Sequence, residues 1–345
     1  MSDIKPRNPF SSQDSFSERI SDSDKPVKDT FQDALSSRCS AASKGYLVDP
    51  YVSLFGLFQK KTPMINRGTY IRTRAVDDLV HKFLTSGVTK SQNTQIISFG
   101  AGMDTRYFNL LDDKSLEMDK VSYFEVDFPE IVQQKSQIIS KNPELNSKLL
   151  NPDFDPVSCI LNSQHFKLSA GDLRLFNEEL VPKLISLGFD SSIPSLFIAE
   201  CVFVYIEPEK VDEILKWISS STTFSVMVSY EQVLSNSSFG KMMISNLQMR
   251  GIKLKGLEKY PNLQSQKERY LRQGWSLAEN KTIWEIEKKV IPPSEISRIN
   301  KIEQLDEIEE WMLLSSHYSV LIALTHNHST YSNEELASFL TFSAS

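Results

Sequence analysis

Cysteine is scarce in this chain of 345 residues, and no long apolar run interrupts it. Its three cysteines, Cys39, Cys159 and Cys201, lie far apart, which excludes a disulfide framework and a Cys-x-x-Cys metal or redox site. The five histidines have no metal-binding spacing. No segment approaches the roughly 20 apolar residues that cross a membrane. From these absences we expect a cytoplasmic protein that holds no metal and does not associate with a membrane.

Positive charge is also in short supply, because 38 lysine and arginine residues stand against 44 aspartate and glutamate residues, a formal net charge of -6. General nucleic-acid binding requires a basic surface, so the composition argues against a nucleic-acid partner. The basic residues concentrate in one acid-free stretch with Lys60, Lys61, Arg67, Arg72 and Arg74. Such a stretch is usually a solvated surface. Arg72, however, lies beside the apolar stripe of a predicted helix, where it could reach a crevice and bind a carboxylate.

Apolar, β-rich segments alternate with helical patterns along the chain. Strands are predicted at Thr94–Gly100, Val121–Asp127, His165–Leu173, Pro194–Tyr205, Phe224–Glu231 and Tyr318–Leu324. Helices are predicted at 69–84, 129–140 and 207–218, with one long helix between 292 and 317. The alternation is typical of βαβ units, so the predicted fold class is α/β, with a doubly wound and mostly parallel sheet. Residues 141–164 and 232–274 break the alternation and are interpreted as insertions over the sheet.

A glycine-containing loop, Gly100-Ala101-Gly102, follows the first predicted strand directly. In an open α/β sheet such a loop lets a ligand approach the backbone, and an acid at the end of the second strand binds ribose hydroxyls, a position that Asp127 occupies. A dinucleotide loop normally has a third glycine, but Thr105 stands there, and Asp104 would repel a diphosphate. A cofactor with ribose and adenine but no phosphate fits better. S-adenosylmethionine is such a molecule.

Three successive predicted strands end at an acid, namely Asp127, Asp172 and Glu200. Any one of them could be a helix N-cap or a solvated loop residue, and this alternative is strongest for Asp172. Because the carboxyl ends of parallel strands share one edge of the sheet, all three would project into the same crevice. Together they predict a cofactor site.

Eight motifs in fixed order resemble the leucine carboxyl methyltransferases, which methylate the C-terminal leucine carboxylate of the catalytic subunit of type 2A protein phosphatase. The motifs are "GYLVDPY", "PMINRGTYIR", "FGAGMDTRYF", "YFEVDFPEIV", "GDLR", "AECVFVY", "YEQV…FGKMM…NL" and "SQKERYLRQGW", spread from about Asp33 to Leu324. The resemblance implies a class I S-adenosylmethionine-dependent methyltransferase fold. It also implies S-adenosylmethionine as cofactor, the phosphatase subunit as partner, and a role in assembly of the phosphatase holoenzyme.

The resemblance also implies roles for individual residues. Arg72 would bind the methionine carboxylate, Gly100 would lie in the cofactor loop, and Asp127 would bind the ribose. Asp172 and Leu173 resemble the adenine contacts, and Glu200 is the family's acid near the cofactor amine. Arg38 occupies a position where relatives have lysine, so its charge is kept while its hydrogen-bond geometry can differ.

The proposed chemistry needs positioning more than proton transfer. A C-terminal carboxyl group titrates near ~3.5, so it is already an anionic nucleophile at neutral pH. The enzyme has to align this group with the methyl donor and exclude water. Arg38, Arg72 and Tyr205 are the candidates at the meeting point of cofactor and substrate, with Arg72 and Tyr205 as catalytic positioning residues. Tyr205 could equally pack under the adjacent helix, and Arg67 is expected to be structural.

The chain is expected to form one domain behind a tail. Residues 1–30, rich in Ser, Asp and Lys with two aromatics, predict a flexible tail. Within a single methyltransferase domain, 31–345, we assign 31–92 to a helical cap and first helix, 93–231 to the cofactor-binding core, 232–275 to a lid insertion and 276–325 to the C-terminal part of the sheet. Met242, Met243, Leu247 and Met249 are expected to form much of the lid, unless they are plain core residues. The protein is expected to be a monomer.

Two other functions stay open at this stage. One is a methyltransferase of the same fold that acts on another carboxylate, as in the tRNA wybutosine enzymes. The other is a non-catalytic protein that binds phosphatase tails.

Overall fold

The computed structural model describes residues 24–90, 92–233, 237–326, Phe339 and Phe342. Within these residues a single sheet runs in the order β3-β4-β5-β2-β1-β6-β7-β9-β8. Its strands are β1 Thr94–Phe99, β2 Val121–Asp127, β3 Asp153–Asp155, β4 Ile160–Asn162, β5 Phe166–Ala170, β6 Ser195–Glu200, β7 Phe224–Gln232, β8 Leu277–Thr282 and β9 Tyr318–His326. Strands β5, β2, β1, β6 and β7 are mutually parallel, and the four outer strands pair antiparallel. The predicted α/β class with a mostly parallel sheet is confirmed.

Helices cover both faces of the sheet and its carboxyl edge. They are α1 Lys25–Lys28, α2 Thr30–Ser43, α3 Val52–Phe55, α4 Pro63–Thr85, α5 Arg106–Asp112, α6 Pro129–Lys141, α7 Pro143–Asn146, α8 Val181–Ser186, α9 Pro208–Ser221, α10 Ser238–Met249, α11 Lys255–Lys259, α12 Leu263–Arg272, α13 Ile283–Lys289, α14 Pro293–Ile302 and α15 Ile308–Ser315. Short 3₁₀ turns follow β5 and β6, at Leu173–Leu175 and Phe203–Tyr205. No helix of the described residues has both the length and the apolar character that a membrane crossing requires.

The central strands are buried because helices pack on both of their faces. All six residues of β1 are buried, as expected for an interior parallel strand. Helix α4 begins at Pro63, where the Thr62 side chain accepts a hydrogen bond from a backbone N–H in the first turn. Its predicted apolar stripe, Ile71, Ala75, Leu79 and Phe83, is buried against the sheet. Because this stripe packs on the sheet, it fixes the rotation of α4 and therefore which of its residues lie at the carboxyl edge.

The structure corrects four expectations. Residues 24–30, assigned to a flexible tail, lie in α1 and the start of α2, whereas residues 1–23 of that tail lie outside the described residues. The segment 141–164 adds β3 and β4 to the sheet edge instead of covering it. The long helix is two helices, α14 and α15, separated by residues 303–307. Strand β8 was missed because its residues "LAENKT" are mostly polar and partly exposed at the sheet edge.

Candidate active site

One cavity of about 1230 Å³ opens at the carboxyl edge of the parallel strands. The ends of β1, β2, β6 and β7 contribute to its wall, together with α1, α2, the first half of α4 and α15. All eight predicted site residues line it, namely Arg38, Arg72, Gly100, Asp127, Asp172, Leu173, Glu200 and Tyr205. Residues up to 167 positions apart in the sequence therefore share one chamber, as the strand-end argument predicts.

The glycine loop turns sharply against two strands. Gly100 has a φ of +59° and donates its N–H to the Val126 carbonyl at 2.8 Å. A Cβ at Gly100 would lie 2.5 Å from Cγ2 of Val202, so a side chain has no room there. Gly102 also has a positive φ, +55°. The loop needs glycine for its conformation and, at the first position, for the close approach of a neighbouring loop.

Asp127 connects the end of β2 to this loop. Its Oδ2 accepts the Gly102 N–H at 2.6 Å, and its Oδ1 accepts the Phe128 N–H at 2.7 Å. Burial raises the pKa of Asp127 to about 6, and the two backbone donors oppose that rise. Each oxygen of a carboxylate can accept more than one hydrogen bond. Asp127 therefore keeps capacity to accept hydroxyl donors from the cavity, as a ribose would supply.

Asp172 serves as the cap of the short turn after β5. Its side chain accepts the Arg174 N–H at 2.9 Å, so the alternative interpretation of Asp172 as an N-cap is correct. The carboxylate also pairs with the Arg174 guanidinium, which in turn binds Asp24 ahead of α1. Leu173, the first residue of the turn, is buried and lines the cavity. Capping and a place in the cavity wall are compatible for Asp172.

A cluster of arginines and carboxylates lies at the centre of the edge. Arg72 Nε binds Glu200 Oε2 at 2.6 Å, and its guanidinium lies 4.6 Å from the centre of the Tyr230 ring. Arg38 binds Asp49 at 2.6 Å and lies 3.9 Å from Asp104. Two of the predicted residues, Arg72 and Glu200, are thus each other's partners.

Arg106 is the arginine of this cluster that sequence reasoning missed. It is the first residue of α5, is 2% exposed, and binds Asp77 at 2.7 Å and Glu200 at 2.9 Å. It also pairs with Asp104. Burial alone would raise the pKa of Asp104, but Arg106 and Arg38 lie beside it and lower this pKa to about 2. Two arginines therefore compensate the negative charge of Asp104, and the prediction that Asp104 repels a diphosphate loses this support.

Tyr205 lies on a turn that one carboxylate holds in place. Glu231 at the end of β7 accepts the N–H groups of Val202, Phe203 and Val204 at 2.9–3.2 Å. Tyr205 packs with a small apolar cluster that includes Ile252, and it also lines the cavity. Tyr205 is thus partly a packing residue, although its apolar neighbours lie near Ile252 and not on the adjacent helix α9. Its role as a positioning residue stays a prediction.

The methionines of the predicted lid, residues 232–275, contribute less to the cavity wall than expected. Leu247 and residues 250–253 line the cavity. Met242 and Met249 are 60% and 77% exposed, and Met243 does not line the cavity. The alternative, that these methionines are plain core residues, does not describe them either, because Met242 and Met249 face solvent.

The cavity has an apolar side next to Arg72. We define the apolar subpocket as Met64, Gly68, Ile283, Trp311 and Leu314, all of which line the cavity. Gly68 lies one helical turn before Arg72 on α4, so both share one face. Arg67 does not line the cavity and pairs with buried Glu287, which also accepts the Trp311 indole N–H. Arg67 is structural, as expected, and it supports the subpocket from behind.

The comparisons with known proteins agree with this geometry. A solved structure from Thermobifida fusca YX, described as a methyltransferase, has a TM-score of 0.50 and 12% identity, covering 80% of this chain and 93% of that chain. The likeness shows the fold, which this chain shares with that protein. Among the described residues, no group of three or more His, Cys, Asp or Glu side chains could hold a metal ion.

The sequence comparisons identify the protein family. The leucine carboxyl methyltransferase family matches residues 14–219. Leucine carboxyl methyltransferase 1 of Yarrowia lipolytica is 37% identical over 320 residues, covering 87% of this chain and 97% of the relative. The protein of that name from Schizosaccharomyces pombe is 35% identical, covering 87% and 95%. The tRNA wybutosine-synthesizing protein 4 of Rattus norvegicus is 32% identical over 86% of this chain but only 44% of its own length. The chain belongs to the leucine carboxyl methyltransferase family, and it is a carboxyl methyltransferase with S-adenosylmethionine as its methyl donor.

Proposed function

We propose that the protein methylates the α-carboxylate of a C-terminal leucine, and that its substrate is the catalytic subunit of type 2A protein phosphatase. The observation that supports this proposal best is the apolar subpocket beside Arg72, within the cavity that contains the eight predicted site residues. A leucine side chain requires such an apolar surface. The family relationship supplies the substrate class, and regulation of phosphatase holoenzyme assembly is the expected consequence.

The residues at the strand ends suit the parts of the proposed cofactor. Asp127 would accept the ribose hydroxyls, and Asp172 with Leu173 would border the adenine. Arg72 and Glu200 present a positive and a negative group side by side, matching the carboxylate and ammonium of an amino acid. When bound, S-adenosylmethionine supplies an electrophilic methyl group. Gly100, where Val202 leaves no room for a side chain, would let the loop backbone approach the ligand.

The remaining residues would orient the substrate. A terminal carboxylate is ionised at neutral pH, so none of them has to act as a general base. The subpocket would hold the leucine side chain and exclude water, which strengthens a desolvated carboxylate nucleophile. Tyr205, fixed by the turn that Glu231 holds, would border the meeting point of substrate and cofactor. Positioning alone can supply a large part of a rate enhancement.

Transfer of a labelled methyl group tests the proposal directly. The protein is incubated with labelled S-adenosylmethionine and the phosphatase catalytic subunit, either complete or lacking its terminal leucine. We expect base-labile label, as in a methyl ester, on the complete subunit only. Equal labelling of both forms, or none, would contradict the proposed substrate.

Two further arms address the other candidate functions. The tRNA wybutosine-synthesizing relative matches 86% of this chain, so a tRNA bearing the wybutosine precursor is included as an acceptor. Label on tRNA instead of the phosphatase would identify that activity. Calorimetry with S-adenosylmethionine tests the non-catalytic alternative, which predicts no heat of binding. Gel filtration and cell fractionation test the proposed monomeric state and cytoplasmic location.

A further inference from the structure

Arg106 lies behind the cavity wall and does not line it. Its side chain is 3% exposed, whereas that of Arg72 is 25% exposed. The two guanidinium groups hold opposite oxygens of one carboxylate, with Arg72 on Glu200 Oε2 and Arg106 on Glu200 Oε1. Glu200 therefore has one partner on the cavity side and one on the interior side.

The interior partner is the more firmly held of the two. Arg106 Nε binds Asp77 Oδ1 at 2.7 Å, and another nitrogen of its guanidinium pairs with Asp104. Because a planar guanidinium that binds several acceptors has few alternative positions, the Arg106 side chain is preorganised. Arg72 has Glu200 as its ion-pair partner within the described residues, and otherwise stacks on the Tyr230 ring. Arg72 can change partner at lower cost than Arg106.

A ligand that carries both a carboxylate and an ammonium group would compete with the Arg72–Glu200 pair. Its carboxylate can replace Glu200 at Arg72, and its ammonium can replace Arg72 at Glu200. A buried carboxylate that loses one partner is costly unless another cation keeps it in place. Burial would raise the pKa of Glu200, but Arg72 and Arg106 together hold it below the usual value.

We propose that Arg106 is a positioning residue that holds Glu200 in place to bind the ammonium group of the cofactor's amino-acid part. This inference rests on the proposed cofactor site. It assigns to Arg106 no contact with the ligand, and it predicts an effect confined to the amino-acid part of the molecule.

Two nucleosides separate this role from a merely structural one. S-adenosylhomocysteine carries the amino-acid group, whereas 5′-methylthioadenosine has the same adenosine and sulfur without it. We expect Arg106→Gln to weaken S-adenosylhomocysteine binding by about tenfold or more in calorimetry, since truncating one partner of a buried charge pair is costly. Binding of 5′-methylthioadenosine should change by less than about twofold. The second ligand also reports that the variant is folded.

A double-mutant cycle tests whether Arg106 acts through Glu200. In the Glu200→Gln background, Arg106→Gln should change S-adenosylhomocysteine affinity by less than about twofold, because the group that it positions is gone. Arg106→Lys, which keeps the charge and loses the planar fork, should lie between wild type and Arg106→Gln. If Arg106→Gln does not fold, Arg106→Lys replaces it in the cycle with the same expected signs.

Three results would overturn the inference and leave the proposed cofactor site intact. Equal loss of both ligands in the Arg106 variants would show a general structural role. Unchanged S-adenosylhomocysteine affinity would show no role at all, and an undiminished effect in the Glu200→Gln background would show that Arg106 acts elsewhere. Failure of the wild-type protein to bind either nucleoside would instead contradict the proposed cofactor site, and this inference with it.

Discussion

Asp127→Asn should change the pH dependence of stability in a direction that the burial of this carboxyl dictates. The pKa of Asp127 is raised from 3.8 to about 6, so the folded state binds its proton more tightly than the unfolded state. Stability from this group is therefore present at low pH and is lost as pH rises from about 4 to about 6. The total loss is about 3 kcal/mol, at about 1.4 kcal/mol for each tenfold change in proton affinity.

The asparagine variant is a matched comparison, because it is isosteric and does not titrate. Its amide group opposes one of the two backbone donors, at Gly102 or Phe128, which costs about 1–3 kcal/mol at every pH. That cost cancels when the two proteins are compared across pH. Between pH 5 and pH 7.5 the variant should gain about 1.4 kcal/mol relative to wild type.

Urea unfolding at four pH values, followed by tryptophan fluorescence, measures this difference. The difference between the two proteins isolates Asp127, since burial also raises the pKa of Glu125 and Glu231 to about 7 in both. A stability difference that is constant over this pH range, or one that moves against the variant as pH rises, would refute the reasoning.

Three further substitutions test the glycine loop, the apolar subpocket and a buried ion pair outside the cavity lining, Lys135–Glu125. Gly100→Ala should lower the free energy of unfolding by about 1–3 kcal/mol and weaken nucleoside binding, because the position has a positive φ and its Cβ would overlap with Val202. Adding Val202→Ala should restore only the part of the loss that is due to this overlap. Full restoration would exclude backbone strain. Lys135→Met should lower the free energy of unfolding by about 3–5 kcal/mol, because it leaves buried Glu125 unpaired. In thermal unfolding, the double variant Lys135→Met, Glu125→Met should recover most of this stability. Gly68→Val should raise the KM for a leucine-terminated substrate more than tenfold and leave nucleoside affinity unchanged. Gly68→Ala should resemble wild type, because its Cβ fits at 3.4 Å from the subpocket wall. Equal effects of the two variants on KM would contradict a leucine subpocket.

Those features of the site that depend on local pattern could be predicted from the sequence. The glycine loop follows an apolar strand, and Asp127, Asp172 and Glu200 stand at the ends of strands, so a parallel sheet brings them together without further information. Their contacts with the cofactor stay predictions. The position of Arg72 beside an apolar stripe likewise followed from helical periodicity.

Arg106 and the subpocket depend on contacts between distant segments. Arg106 lies in the motif "GMDTRYF", but its role arises from Asp77 on α4 and Glu200 on β6, which no local spacing reveals. Edge strands β3 and β8 escaped prediction for a related reason. They are short or polar and gain their conformation from pairing, not from their own apolar pattern.

Strand β9 carries a consequence for how the chain is made. It is the last strand of the described sequence, yet it lies inside the sheet, paired with nine residues of β7 and six of β8. During synthesis on the ribosome, the hydrogen-bonding edge of β7 stays open until Tyr318–His326 emerge, and an open apolar edge invites aggregation. A premature stop codon shortly before Tyr318 would therefore yield an insoluble polypeptide that chaperones retain, not a trimmed enzyme with reduced turnover.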